Sequence, residues 1–273
     1  MIKTRVLALG VVLLVVLGVG TAAAAPGPNG AGRLGDGQLG AGRLGEIVAR
    51  GELRVCSTGD YRPFTYLGPD GRWSGIDVDL AADLARRLGT RLALVRTTWA
   101  KVAVDVGNRC DLVMGGVSVT PARARAALFT TPYLRDGKTP ITRCADVAKY
   151  ATLAQIDRAG VRAIVNHGGT NDQFATANLH HATIVRYPDN NTIFDQLLAG
   201  RADLMITDAS ETRWQARQHP QLCAVHPDQP FTQDEKAYLL PRGEEAFRQF
   251  VDRWLLEVRE DGTYARVTRP WLG

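Results

Sequence analysis

Residues 111–123 read DLVMGGVSVTPAR. Leu112, Val113 and Met114 make a short apolar run of the kind that forms a buried strand, and Gly115-Gly116 ends it. Two glycines at the carboxyl end of a strand let the backbone come close to a ligand. In open α/β sheets that end is also where ligands bind. Just beyond stand Gly116 with its bare backbone, Ser118 with a hydroxyl, and Arg123 with a planar fork that matches a carboxylate. The same spacing also allows a plainer arrangement, in which Arg123 shares the solvated face of a helix with Arg125.

Working outward from this stretch, strands and helices alternate. Strand 53–57 precedes a loop over 58–64, a hairpin turn at Pro69-Asp70-Gly71 and a helix over 77–88. That helix carries Val78, Ala81, Ala82, Ala85 and Leu88 on one face, and Gly89 stops it. A strand over 91–96 and a helix over 99–108 lead into the opening stretch. The second half repeats the pattern, with strands over 163–166, 182–186 and 203–207 and helices over 171–179 and 191–200. Such alternation predicts parallel sheets with helices on both faces, in two α/β units of roughly one hundred residues. The last segment, 237–240 and a helix over 244–260, is too small for a third unit and returns to the first. A chain that goes out, across and back makes two lobes with a cleft between them, a preferred place for ligands.

The chain of 273 residues is 45% hydrophobic and 22% charged, an ordinary globular composition, with a formal charge of +5. Part of that excess sits in the first 25 residues. Lys3 and Arg5 precede an apolar run from Val6 to Gly20, and Ala23 and Ala25 form an Ala-x-Ala end, together the pattern of a cleaved secretory signal. The run is short for a bilayer span. Residues 26–43 are rich in Gly, Pro and Ala and read as a tether. The expected division is therefore leader 1–25, tether 26–43, a first lobe of 44–135 with 236–273, and a second lobe of 136–235. Export permits disulfides. Cys144 and Cys223 fall in the same half and are expected to pair, whereas Cys56 and Cys110 read as small buried hydrophobes. No cysteine pair has zinc-site spacing, and neither a metal nor a cofactor is expected. Basic residues are scattered without interleaved aromatics, which argues against nucleic acid as a partner.

Two further clusters carry chemistry. Asn166-His167-Gly168-Gly169-Thr170-Asn171-Asp172 spans a strand-to-helix junction, where free backbone N–H groups favour an anion. Thr170 is also a fair N-cap, and Asp172 either a partner of the helix dipole or an acid. Asp208 closes strand 203–207 with Glu211 one turn on; it reads as a grip for an ammonium or as another helix cap. Tyr61, Phe64 and Trp99 are candidate walls or core residues.

Several strings resemble the family 3 extracellular solute-binding proteins, receptors of ABC importers for polar amino acids. They are Gly59 to Phe64, Gly75 to Ala81, Ser118 to Arg123 and Glu260 to Tyr264. Pro132 to Cys144, Gly168 to Asn171, Tyr187 to Asn190, Ala202 to Ala209, Leu222 to Pro227 and Glu235 to Arg242 resemble, more narrowly, the cyclohexadienyl dehydratases of that family. Those periplasmic enzymes turn prephenate into phenylpyruvate or arogenate into phenylalanine. The resemblance implies an α/β, two-lobed type II periplasmic-binding-protein fold with crossings near 134–138 and 231–236. It implies that Arg123 holds a carboxylate and Asp208 an amine. Gly116, Ser118, Gly169, Thr170, Asn171 and Lys138 would line the site, Tyr61 and Trp99 would wall it, and Asp172 would serve as general acid. In the dehydratases the position of Asp172 is commonly Glu. The implied ligand is a small carboxylate: prephenate, arogenate or an amino acid. An ABC permease is a partner only if the chain is a non-catalytic receptor.

Overall fold

The computed structural model describes residues 42–273; the expected leader and nearly all of the expected tether lie outside the described residues. Two five-stranded sheets organise the chain. The first runs, in spatial order, Arg91–Arg96, Glu52–Ser57, Leu112–Val113, Leu239–Leu240 and Leu128–Phe129. The second runs Thr183–Tyr187, Arg162–Asn166, Leu204–Asp208, Lys138–Arg143 and Leu222–Ala224.

Three neighbouring strands in each sheet are parallel, as the alternation predicted. The fourth strand is not. Leu239–Leu240 and Lys138–Arg143 each run antiparallel to both neighbours. Each is the strand that follows a crossing from the other sheet, so it enters from the opposite end and reverses the local direction. The crossings are Leu134–Asp136 and Asp234–Lys236, which pair antiparallel with Lys236 opposite Leu134. These positions match the crossings the resemblance implied.

The strands are covered on both faces. Along Leu204–Asp208, Met205 packs with Ile141, Ile164, Phe194 and Leu197, while Leu204 and Ile206 pack on the other side with Ile156, Val165 and Leu179. Side chains alternate across a strand, so an unbroken apolar run marks a strand buried twice. Ile76–Arg87 forms the expected amphipathic helix. Helix Glu245–Glu260 returns to the first sheet and buries Phe247, Val251, Trp254 and Val258. Its Trp254 donates Nε1 to Asp83 of the earlier helix at 2.9 Å.

The expected helix over 99–108 shrinks to Val102–Asp105. Asp105 explains this, because its carboxylate accepts from Thr97 Oγ1 at 2.6 Å and Arg109 Nη1 at 2.9 Å. Gly107 then takes φ +84° and sends its N–H to the Cys110 carbonyl, turning the chain after one helical turn.

Cys144 and Cys223 are bonded, as expected. Cys56 and Cys110 are bonded too, which corrects their reading as isolated hydrophobes. Burial did not distinguish the two states, because a buried disulfide is as apolar as a buried thiol. The bridges differ in access: Cys144 is exposed, whereas Cys56 and Cys110 are buried. Mild reduction followed by alkylation is expected to label Cys144 and Cys223 first. Replacing that pair by serine is expected to lower the unfolding free energy by about 2–4 kcal/mol, read from urea denaturation with the slope fitted separately for each protein.

Candidate active site

The carboxyl ends of the parallel strands in both sheets point at one cavity. It is lined by Tyr61, Trp99, Gly116 and Ser118 from the first lobe, and by Asn166, Gly169, Thr170, Asn171 and Asp208 from the second. The free space between these side chains is about 10 Å³, roughly one water molecule.

Asp208 is the electrostatic centre. It ends strand Leu204–Asp208 at the N-cap of helix Ala209–Gln218, yet its side chain makes no capping bond. Instead Oδ1 accepts from Lys138 Nζ at 2.8 Å and Oδ2 from Lys236 Nζ at 2.6 Å. The Tyr61 hydroxyl also donates to Oδ2. Burial pushes this carboxyl up, but the two ammoniums outweigh burial and hold it well below the usual range. Burial and the nearby Asp208 charge raise Tyr61 well above its ordinary value, so it remains a phenol.

Lys138 leads strand Lys138–Arg143 and also donates to Thr170 Oγ1 at 3.0 Å and Asn171 Oδ1 at 2.6 Å. Thr170 therefore serves the cavity rather than the helix end, whose N-cap is Gly169. Asn171 Nδ2 in turn donates to Asn166 Oδ1 and Thr207 Oγ1, and the Thr207 hydroxyl donates to Glu211 at 2.6 Å. Glu211 is 1% exposed, and burial pushes its carboxyl up to about 8, which keeps it protonated at neutral pH.

On the first lobe, Gly116 stands at φ +64°, and a Cβ there would come within 2.6 Å of both Tyr61 and Phe64. Its N–H donates at 2.6 Å to Asp77, which also accepts from Tyr133 and Tyr238. Only glycine fits this close approach. Arg123 is 9% exposed, while Arg125 on the same helix is exposed, so the shared solvated face is not what forms. Nη1 of Arg123 donates to the Ser118 carbonyl at 2.9 Å, and its guanidinium lies 5.9 Å from the Trp99 ring. Burial lowers Arg123 to about 10, which leaves it charged at neutral pH. Tyr61 stacks with Phe64 and meets Trp99 edge-on, forming the aromatic wall.

Asp172 stands apart from this ring. Its Oδ1 accepts from Arg186 Nε at 2.9 Å and its Oδ2 from the Gly168 N–H at 3.2 Å. Asn166, from the strand-to-helix cluster, and two residues that the sequence did not single out complete the site. Asn166 lines it, Asp60 receives Trp99 Nε1 at 3.1 Å, and Lys236 holds Asp208. In the sequence Lys236 figures only within the string Glu235 to Arg242, and the crossing strand carries it inward to 0% exposure.

Residues 53–273 match the model of the bacterial extracellular solute-binding proteins, family 3. The chain belongs to that family. Among its members, the cyclohexadienyl dehydratase of Pseudomonas aeruginosa is 52% identical over 227 residues, covering 83% of this chain and 84% of that protein. A solved ancestral amino acid-binding protein, described as a precursor of cyclohexadienyl dehydratase, is 30% identical with a TM-score of 0.79. That match covers 85% of this chain and all of the other. A solved ancestral cyclohexadienyl dehydratase is 45% identical with a TM-score of 0.54, over 85% of this chain and 97% of the other. The two-lobed family 3 fold thus holds for this chain. Among the described residues, no group of three His, Cys, Asp or Glu side chains could hold a metal ion.

Proposed function

We propose that the protein is a dehydratase that converts prephenate to phenylpyruvate, or arogenate to phenylalanine, by loss of carbon dioxide and water. The observation that carries this reading is the charge around the cavity. Three buried cations, Arg123, Lys138 and Lys236, gather at the cavity, and both lysines are ion-paired with the low-lying carboxylate of Asp208. Three cations gathered at one cavity favour an anionic ligand such as prephenate. The 52% identical dehydratase supports the same chemistry. A receptor for an amino acid would need Asp208 free to take an ammonium, and here its oxygens are already engaged.

The chemistry asks little beyond placement. The bond from the ring carbon to the carboxylate breaks, and its electron pair moves through the diene. The opposite carbon–oxygen bond then breaks, and the hydroxyl leaves with a proton as water. Arg123 would hold one carboxylate with the part of its fork not given to Ser118. Lys138, Thr170 and the amides near Gly169 would hold the other. Closure of the lobes keeps bulk water out, which strengthens each of these contacts. Asp172 would take up a proton from solvent as it exchanges Arg186 for the substrate hydroxyl, and would pass that proton to the hydroxyl as it leaves.

Catalysis would take place in the periplasm, with residues 1–25 serving as a cleaved leader. The test is purified protein with prephenate at neutral pH, following phenylpyruvate. Release well above the buffer control is expected, and a rate equal to that control overturns the proposal.

A further inference from the structure

The donors on Asp208 come from the protein, and one of them has the surroundings of a bound ligand. Lys236 Nζ contacts Asp208 Oδ2 at 2.6 Å in the second lobe and Ser118 Oγ at 2.9 Å in the first. It also lies 3.4 Å from the Tyr61 hydroxyl, 5.4 Å from the Tyr61 ring and 5.9 Å from the Phe64 ring. A carboxylate, a hydroxyl and aromatic faces converging from two lobes are what a small-molecule ammonium would require. Lys138 is different, because Thr170, Asn171 and Asp208 all belong to the second lobe. Lys236 is the cation that bridges the cleft, and it stands on the crossing strand Asp234–Lys236 rather than on either lobe's sheet.

We infer that Lys236 is a built-in substitute for a substrate ammonium, which makes the site prefer a 2-oxo acid to the matching 2-amino acid, and so prephenate to arogenate of the two substrates proposed above. The carboxylate that would attract an amine is satisfied twice over, and a further ammonium would meet two fixed ones. Closure across the cleft is carried by the chain's own side chain, so the ligand need only bring anionic groups. A buried carboxylate with two buried lysines is costly to desolvate and persists only where each charge is paired. This assigns Lys236 a role in specificity that would otherwise fall to the ligand. The inference rests on the dehydratase reading only where it concerns turnover.

Phenylpyruvate and L-phenylalanine, which differ at the oxo and amino positions, are the matched probes. Calorimetric titration of the whole protein is expected to show phenylpyruvate bound at least tenfold more tightly. In Lys236→Met the ratio of the two affinities should fall at least tenfold, with phenylalanine gaining in absolute terms. In Lys236→Ala, which opens the space of the side chain, ethylammonium should restore part of the oxo-acid preference, which a merely structural role would not do. The double variant Lys236→Met with Asp208→Asn removes both members of a charge pair and guards against misfolding. It should lose the gained phenylalanine binding. Equal affinities in the unaltered protein, a ratio in Lys236→Met within twofold of the original, or phenylalanine binding retained in the double variant would each overturn the inference. If prephenate is not turned over at all, the dehydratase reading fails while the binding ratio still decides the role of Lys236.

Discussion

Arg123→Met should lower kcat/KM for prephenate about a thousandfold, equivalent to roughly 4 kcal/mol, and should do so without loss of the folded state. The guanidinium is buried, charged at neutral pH and tied to the Ser118 carbonyl, so its position is set before any ligand arrives. Removing it takes away the partner of one substrate carboxylate and leaves that anion desolvated. The helix itself should survive, because Thr120 caps it through the Arg123 backbone N–H and not through the side chain. Arg123→Lys keeps the charge but not the fork, and should recover only part of the loss. Steady-state kinetics with a parallel thermal melt checks both. A variant within threefold of the original would remove Arg123 from substrate binding.

The residues that were legible in the sequence are those whose role is local. Gly116 follows from a strand end that needs close approach, and the structure adds why no larger residue fits: Tyr61 and Phe64 lie against it. Asn171, Gly169 and Thr170 follow from a strand-to-helix junction. The parallel cores are legible because a doubly buried strand such as Leu204–Asp208 leaves an apolar run. What stayed hidden depends on pairing between distant segments. The reversed fourth strand of each sheet follows from the crossings, which no periodicity reports. Lys236 is inward only because Asp234–Lys236 pairs with Leu134–Asp136 and because Lys236 bridges to Ser118. Asp208 was legible as a carboxylate at a strand end but not as a saturated one, since its partners lie 70 and 28 residues away. Asp172 is a mixed case: its place in the first helical turn is local, but Arg186 from the neighbouring strand Thr183–Tyr187 decides where its carboxylate points.

The proton donor gives the sharpest division between outcomes. If Asp172 donates, Asp172→Asn should lower kcat by about a hundredfold to ten-thousandfold with little change in KM, because the contact matters only as the hydroxyl leaves. Arg186→Met should leave kcat nearly intact, since it removes only the partner that holds Asp172 away from the cavity. An unchanged kcat in Asp172→Asn would move the role to Glu211, which is protonated at neutral pH and joined to the cavity through Thr207 and Asn171. Glu211 has its own signature in stability. Its folded value, about 8, lies above the unfolded value near 4.5, so the folded protein binds the extra proton between those limits. Its contribution to stability is full below pH 4.5 and is lost as the pH rises through 8, with a steepest slope of about 1.4 kcal/mol per pH unit. Urea unfolding between about pH 5 and 9 should therefore show declining stability. Glu211→Gln should flatten that decline, because an amide fills the same space and does not titrate. Should kcat fall in Asp172→Asn while Glu211→Gln changes only the pH dependence of stability, Asp172 is the acid and the buried Glu211 serves the fold.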